Sequence, residues 1–324
     1  MRKNAFSKLN WIVAGCLMAI MLASRAAEPD TSDVTLTLGD QARNLRALVE
    51  AAGTLKDAPY SYRWANFQGA APLFEAQRAG SVDTSYAGDL PVLMAAAGGV
   101  GLKILATNVA DTANNGILVQ PNSPIKKIAD LKGRTVVVSS AKGSISQHLL
   151  YAALDEAGLK REDVSIKFVM PTDASAAFNA GQIEAWAVFD PYLGIAEGHG
   201  ARVLRNGHGL TTGLSFVTAT QSSWDDPAKR AAIVDVARRF EKARLWALQH
   251  PDEYAKVYAE LTRLPPSTAA FIAGRSSSGL RPVSRDDVAA VQRVADLFHE
   301  AGVLSVHLNV SSLADYALSQ EATP

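Results

Sequence analysis

Between Leu131 and Leu159 the chain reads LKGRTVVVSSAKGSISQHLLYAALDEAGL, and this stretch sets the terms for the rest. Val136, Val137 and Val138 form an unbroken β-branched run, the pattern of a strand covered on both faces. Ser139 to Gly143 interrupts it with small residues and one lysine. Ile145, Leu149, Leu150, Ala153 and Leu154 then recur at helical spacing, and Gly158 stands where that helix would stop. Ser144 or Ser146 falls at the helix N-terminus, where backbone N–H groups lack intrahelical partners and the dipole is positive. With hydroxyls and Lys142 close by, that terminus suits an anion. A serine there also serves as a plain cap, and on this stretch alone the cap is the simpler reading. The G-x-x-x-x-G-K-[ST] spacing of a nucleotide P-loop is absent.

The same rhythm fills the chain before and after. Strands are expected over Val34–Gly39, Tyr60–Phe67, Val82–Tyr86, Leu102–Val109 and Gly116–Val119. Helices are expected over Leu45–Leu55, from Pro72 to near Gly80, and from Pro91. Ser165–Val169, Glu184–Phe189, Arg202–Leu204 and Leu214–Ala219 read as further strands, with a helix over Ala174–Ala180. Beyond Pro227 the pattern turns helical: Lys229–Gln249, Asp252–Leu261, Ser267–Ala273, Arg285–Ala301 and Ser311–Leu318, punctuated by Pro265-Pro266 and Pro282. Strand, small-residue loop and helix in alternation argue for parallel α/β units. Ligands of such sheets sit at the carboxyl ends of the strands. Here those loops carry Gln41, Arg43, Asn44, Gly69, Gly88, Asp89 and the Ser139–Ser146 stretch.

The N-terminus is a different kind of segment. Arg2, Lys3 and Lys8 precede an apolar run from Trp11 to Ala23, and Ser24-Arg25-Ala26 has the small-x-small form of a cleavage site. Residues 1–26 therefore read as a secretory signal peptide, and the chain as exported. The run is short for a membrane-spanning helix. Removing Arg2, Lys3, Lys8 and Arg25 from 32 basic residues leaves 28 against 32 acidic ones, a balance that gives no reason to expect a nucleic-acid partner. Cys16, the single cysteine, lies in the leader, so cleavage leaves no disulfide, thiol nucleophile or cysteine metal ligand. Val13-Ala14-Gly15-Cys16 has the look of a lipoprotein box, but the apolar run continues through Leu22; a lipid anchor at Cys16 is the lesser alternative.

Several segments, in this order and spacing, carry a family likeness: Gly88-Asp89; Ile117-Leu118-Val119 with Asn122-Ser123-Pro124-Ile125; Ile128-Ala129-Asp130-Leu131-Lys132-Gly133; Gly143-Ser144 leading to Leu149-Leu150; Ala185-Trp186 and Asp190-Pro191-Tyr192; and Ala295-Asp296-Leu297-Phe298. From Leu36 to about Leu308 the chain resembles the periplasmic substrate-binding proteins of ABC importers in the aliphatic sulfonate, taurine and nitrate group. The resemblance implies an α/β, two-lobe periplasmic binding protein fold (type II-like) with a cleft between the lobes and a helical C-terminal segment. Lobe one would hold residues 34–117 and 217–324, and lobe two 118–216. Ligand would close the lobes like a hinge, and the closed form would dock on a permease. A monomer binding an organosulfonate-like anion is implied, with neither cofactor nor metal. Positions matching the family's interlobe loops are Gln41, Asn44, Gly88, Asp89, Gly143, Ser144, Ser146, Trp186 and Asp190. Trp186 is either an apolar wall or a buried core residue. Asp89 and Asp190 either meet the ligand or cap a helix. Arg43, where relatives often carry a small residue or lysine, is either an anion clamp or a solvated charge; Lys142 and Asn115 are further candidates.

Two other functions compete. Related folds include an aromatic sulfinate desulfinase, which needs a catalytic cysteine that the cleaved chain lacks. No His-x-x-x-His pair and no G-x-S-x-G motif occurs, so an enzyme is not expected. Within the binding-protein class, nitrate would want a small, wholly polar pocket. A thiamine-precursor pyrimidine would want stacking from Trp64, Tyr86 or Trp186. A sulfonate wants donors at one end and apolar walls at the other.

Overall fold

A computed structural model describes residues 29–276 and 279–320. The leader expected over residues 1–26, with Cys16, lies outside the described residues. Eleven strands are described: β1 (Thr35–Gln41), β2 (Ser61–Phe67), β3 (Thr84–Gly88), β4 (Leu102–Val109), β5 (Asn115–Val119), β6 (Thr135–Val138), β7 (Ser165–Phe168), β8 (Ala185–Phe189), β9 (Arg202–Asn206), β10 (Leu214–Thr220) and β11 (Leu280–Pro282). Helices α1 (Asn44–Ala52), α2 (Ala70–Arg78), α3 (Asp89–Ala97), α4 (Ile145–Glu156), α5 (Pro171–Asn179) and α6 (Tyr192–Gly198) alternate with them. The C-terminal part adds α7 (Gln221–Asp225), α8 (Pro227–Gln249), α9 (Pro251–Thr262), α10 (Pro266–Ser276), α11 (Arg285–Glu300) and α12 (Ala317–Gln320).

The strands form two sheets, ordered β11-β4-β10-β3-β1-β2 and β7-β6-β8-β5-β9. Both are covered on two faces. Val136 and Val138 pack with Leu149, Leu150 and Leu154 of α4, whereas Val137 faces Phe178 and Leu193 on the opposite side. This is the burial that the Val136–Val138 run requires. The chain leaves the first sheet after β4 and returns as β10. The two connections run side by side, with Ala110 N–H donating to Gly213 O (2.9 Å) and Gly207 N–H to Thr112 O (3.1 Å). The boundaries expected at 117/118 and 216/217 fall inside β5 and β10.

The expectation of parallel units holds only for β1 with β2 and β3, and for β6 with β7 and β8. β10 is antiparallel to both β3 and β4, and β5 is antiparallel to β8 and β9. The crossing explains this: a chain that leaves at the carboxyl end of β4 re-enters the sheet from that end. Further differences are local. Asp40 and Gln41 end β1 instead of lying in a loop, and the turn is made by Ala42 and Arg43, both at positive φ. No helix spans Ser311–Leu318. Ile104 of β4 exchanges backbone hydrogen bonds with Leu313 and Asp315 (2.8 and 2.9 Å), which holds that segment against the strand instead. Pro282, expected as punctuation, ends the edge strand β11, where a missing N–H is tolerated.

Gly39 shows how tightly β1 is seated. A Cβ there would lie 2.7 Å from the Thr84 carbonyl oxygen and 2.5 Å from Leu73 Cδ1. Gly39→Val should destabilise the protein by about 3 kcal/mol through overpacking, read as a lower urea midpoint.

Candidate functional site

The carboxyl ends of β1, β3 and β8 and the starts of α1 to α4 converge on a cavity of about 120 Å³. The first sheet's layer contributes Gln41, Asn44, Ala70, Tyr86, Gly88 and Arg244 to its lining. The second contributes Ser140, Ser144, Ile145, Phe189 and Asp190. Helix N-termini carry partial positive charge and unpartnered N–H groups, so their convergence makes an electropositive floor.

Two of these helix starts, and that of α6, receive a carboxylate from the chain itself. Asp40 accepts from the N–H groups of Gln41 (2.7 Å), Leu45 (3.0 Å) and Arg46 (3.0 Å) at the start of α1. Asp89 accepts from Leu90 N–H (2.6 Å) at the start of α3 and from the Thr212 hydroxyl (2.5 Å). Asp190 accepts from Gly194 N–H (3.0 Å) in α6 and from Arg275 Nη2 (2.7 Å). α2 and α4 are treated differently. Gly69 precedes α2 and has no side chain, and α4 is capped by the neutral Ser144 hydroxyl, which accepts from Gln147 N–H at 3.3 Å.

Burial shapes the charge of these groups. It pushes the Asp40 carboxyl up to about 6, against the three N–H donors and Arg244. It pushes Asp190 up to about 7, against Arg275 and Gly194. Burial acts on Asp89 too, but the His148 ring, Thr212 and Leu90 N–H together outweigh it and hold that carboxyl below its usual range. Asp190 Oδ2 is buried and without a hydrogen-bond partner, in a residue that lines the cavity.

Of the residues named from sequence, Gln41, Asn44, Gly88, Ser144 and Asp190 line the cavity. Gln41 is fixed by donating to Tyr86 O (2.8 Å), and Asn44 Oδ1 accepts from Tyr258 (2.8 Å). Arg43 is exposed, donates to Leu261 O at 2.5 Å and does not line the cavity. It lies at the turn after β1 with a positive φ of 63°. Asp89 lies behind the cavity, held by Thr212 and close to His148 (3.8 Å). Ser146 is wholly buried against Asn115 (3.4 Å). Gly143 N–H is spent on Gln147 Oε1 (2.6 Å), and Lys142 is exposed with its amine 3.4 Å from Gly302 O. Trp186 offers no wall. It is fully buried in the second lobe's core, with its ring 5.4 Å from Phe178 and its N–H donated to Ser139 Oγ (2.9 Å).

Arg244, Tyr254 and Phe189 are not among the expected ligand residues, and Ser140 is expected only as part of the Ser139–Ser146 stretch. Arg244 carried a readable signal. On α8 the buried stripe runs Ile233, Ala237, Phe240, Arg244, so a guanidinium occupies an apolar position. A charge there requires an internal partner or a ligand. Arg244 donates to the Tyr86 hydroxyl (3.2 Å) and sits 5.4 Å from that ring's centre.

Residues 71–254 match the model of the NMT1/THI5-like family. A relative from Escherichia coli (strain K12), named an aliphatic sulfonates-binding protein, is 32% identical over 287 residues, 87% of this chain and 88% of its own. Among solved structures, the alkanesulfonate-binding protein SsuA from Xanthomonas axonopodis pv. citri, bound to MOPS, is 28% identical with a TM-score of 0.81, covering 90% of this chain and 99% of that one. The desulfurization enzyme DSZB, at 18% identity and a TM-score of 0.59 over 90% of this chain and 96% of its own, shares the fold alone. The chain belongs to the NMT1/THI5-like family and, within it, to the family of the aliphatic sulfonates-binding proteins.

Proposed function

We propose that the cavity seats the sulfonate group of an organosulfonate, and that the protein carries this anion in the periplasm to an ABC importer by lobe closure, without covalent chemistry. One observation carries this reading. The start of α4 with Ser144, the Ser140 hydroxyl and the Arg244 guanidinium face one small cavity whose remaining walls include Ala70, Pro91, Ile145 and Phe189. Donors and a cation at one side, with apolar surface around them, are what an anion with a hydrocarbon tail needs. The relatives' names point the same way. A pyrimidine finds little support: Trp64 stacks on Phe240 (6.1 Å), Trp186 is buried, and Arg244 sits over the Tyr86 ring. Nitrate would leave the apolar walls unused. No catalytic cysteine follows the leader, which supports carriage over chemistry. The carrier is read as a monomer.

Isothermal titration of the leaderless protein with ethanesulfonate tests the proposal. Binding is expected, and Ser144→Ala should weaken it about tenfold by removing one hydrogen bond to a charged group. The lost cap should lower Tm by only about 2 °C. Binding of nitrate in preference to every sulfonate, or unchanged affinity in Ser144→Ala, would overturn this seating of the anion.

A further inference from the structure

We propose that a second chamber beside the cavity receives the apolar tail of the ligand, so that the preferred substrates are sulfonates with tails too long for the cavity alone; this rests on the sulfonate reading above. The chamber, about 170 Å³, lies between α2, α3 and the loop before α4. Ala70, Pro91, Ser140 and Ser144 line both spaces, which places the neck of the proposed path there. A head group held at Ser140 and Ser144 therefore stands at the opening of the chamber.

Beyond the neck the chemistry changes. Phe74, Ala95 and Val100 form a buried apolar floor, with half-buried Met94 beside them. The charges lie at the rim and are engaged: Arg78 pairs with Glu75 (3.3 Å) and donates to Gly98 O (2.8 Å), and exposed Lys142 faces Gly302 O. An apolar floor behind polar donors, with a flexible thioether to adjust the fit, accepts methylene or aryl groups and offers nothing to a second charge. Each methylene taken from water into such a space should tighten binding about fourfold.

The test is a series of linear alkanesulfonates from two to eight carbons, titrated into the wild type, Ala71→Trp and Met94→Ala. Ala71 is exposed on α2 and lines the chamber but not the cavity, so tryptophan there fills the chamber without entering the core. Affinity should rise with chain length in the wild type. Ala71→Trp should cost octanesulfonate at least tenfold and leave ethanesulfonate within twofold; Met94→Ala should flatten the rise. A flat series in a wild type that binds ethanesulfonate would overturn the chamber and leave the sulfonate seat intact. Octanesulfonate affinity untouched in both variants, or equal losses for short and long tails, would also overturn it. No binding of any sulfonate would instead remove the reading beneath it.

Discussion

Arg244→Met should weaken alkanesulfonate binding by about 100-fold, the largest single loss expected at this site. Arg244 is buried, with 6% of the residue exposed, close to Tyr86 and to the raised carboxyl of Asp40. In such surroundings a charge interacts far more strongly than in water, and truncating one partner of a buried charge pair costs about 2–5 kcal/mol. Methionine keeps the stem's volume on the stripe between Phe240 and Ala247, so the loss reports charge and fork geometry rather than a cavity. Arg244→Lys keeps the charge without the planar fork and should fall between the two. Titration calorimetry with ethanesulfonate at two salt concentrations measures this. Equal affinity in wild type and Arg244→Met would place the anion elsewhere.

Asp190→Asn should remove a pH dependence from both stability and binding. Burial raises the Asp190 carboxyl to about 7 in the folded protein, from 3.8 as its ordinary value. The folded chain therefore holds a proton there that the unfolded chain releases. The stabilisation is complete below about pH 4 and disappears as pH rises through 7. Relative to Asp190→Asn, the wild type should lose stability between pH 4 and pH 8, on the order of 3–4 kcal/mol in all. Urea unfolding of both proteins at pH 5, 6.5 and 8 gives that difference, and a constant difference would refute it. Binding follows the same charge. The ionised carboxylate repels a plain alkanesulfonate, so at pH 8 the asparagine variant should bind ethanesulfonate about tenfold more tightly. An amine-bearing sulfonate should show the opposite change. If the variant treats both ligands alike, Asp190 serves only its helix and Arg275.

Much of this was legible in the residues. The Val136–Val138 run and the helical repeat from Ile145 gave strand, loop and helix in the right places, with Ser144 as the observed cap. Periodicity and small-residue loops are local properties, and they survive folding. What the sequence did not show depends on contacts far apart in the chain. The antiparallel strands β5 and β10 follow from where the chain crosses between sheets, which no local pattern encodes. Side-chain direction is equally hidden. Arg43 and Asn44 are neighbours in one turn, yet one points to Leu261 and the other lines the cavity. Trp186 alternates with Ala185 and Ala187 along a strand whose two faces are both covered, and its packing with Phe178 rests on a helix that no local pattern places there. Arg244 lies more than 200 residues from Gln41 in sequence, and only its place on an apolar stripe marked it.

The carboxylates at the starts of α1 and α6 have a consequence for which anions the cleft admits. Asp40 and Asp190 already answer part of the positive field that converging helices create, and Asp190 stands in the wall itself. A visiting anion meets those negative charges along with the donors. Attraction and repulsion inside the cleft both scale with the ligand's charge, and the carboxylates trim the attraction, whereas the cost of leaving water grows with the square of that charge, so doubly charged sulfate gives up more on entering than a sulfonate bearing a single charge. The cleft can thus sort oxyanions by valence before shape or tail length is tested, and an abundant inorganic dianion need not compete for the seat.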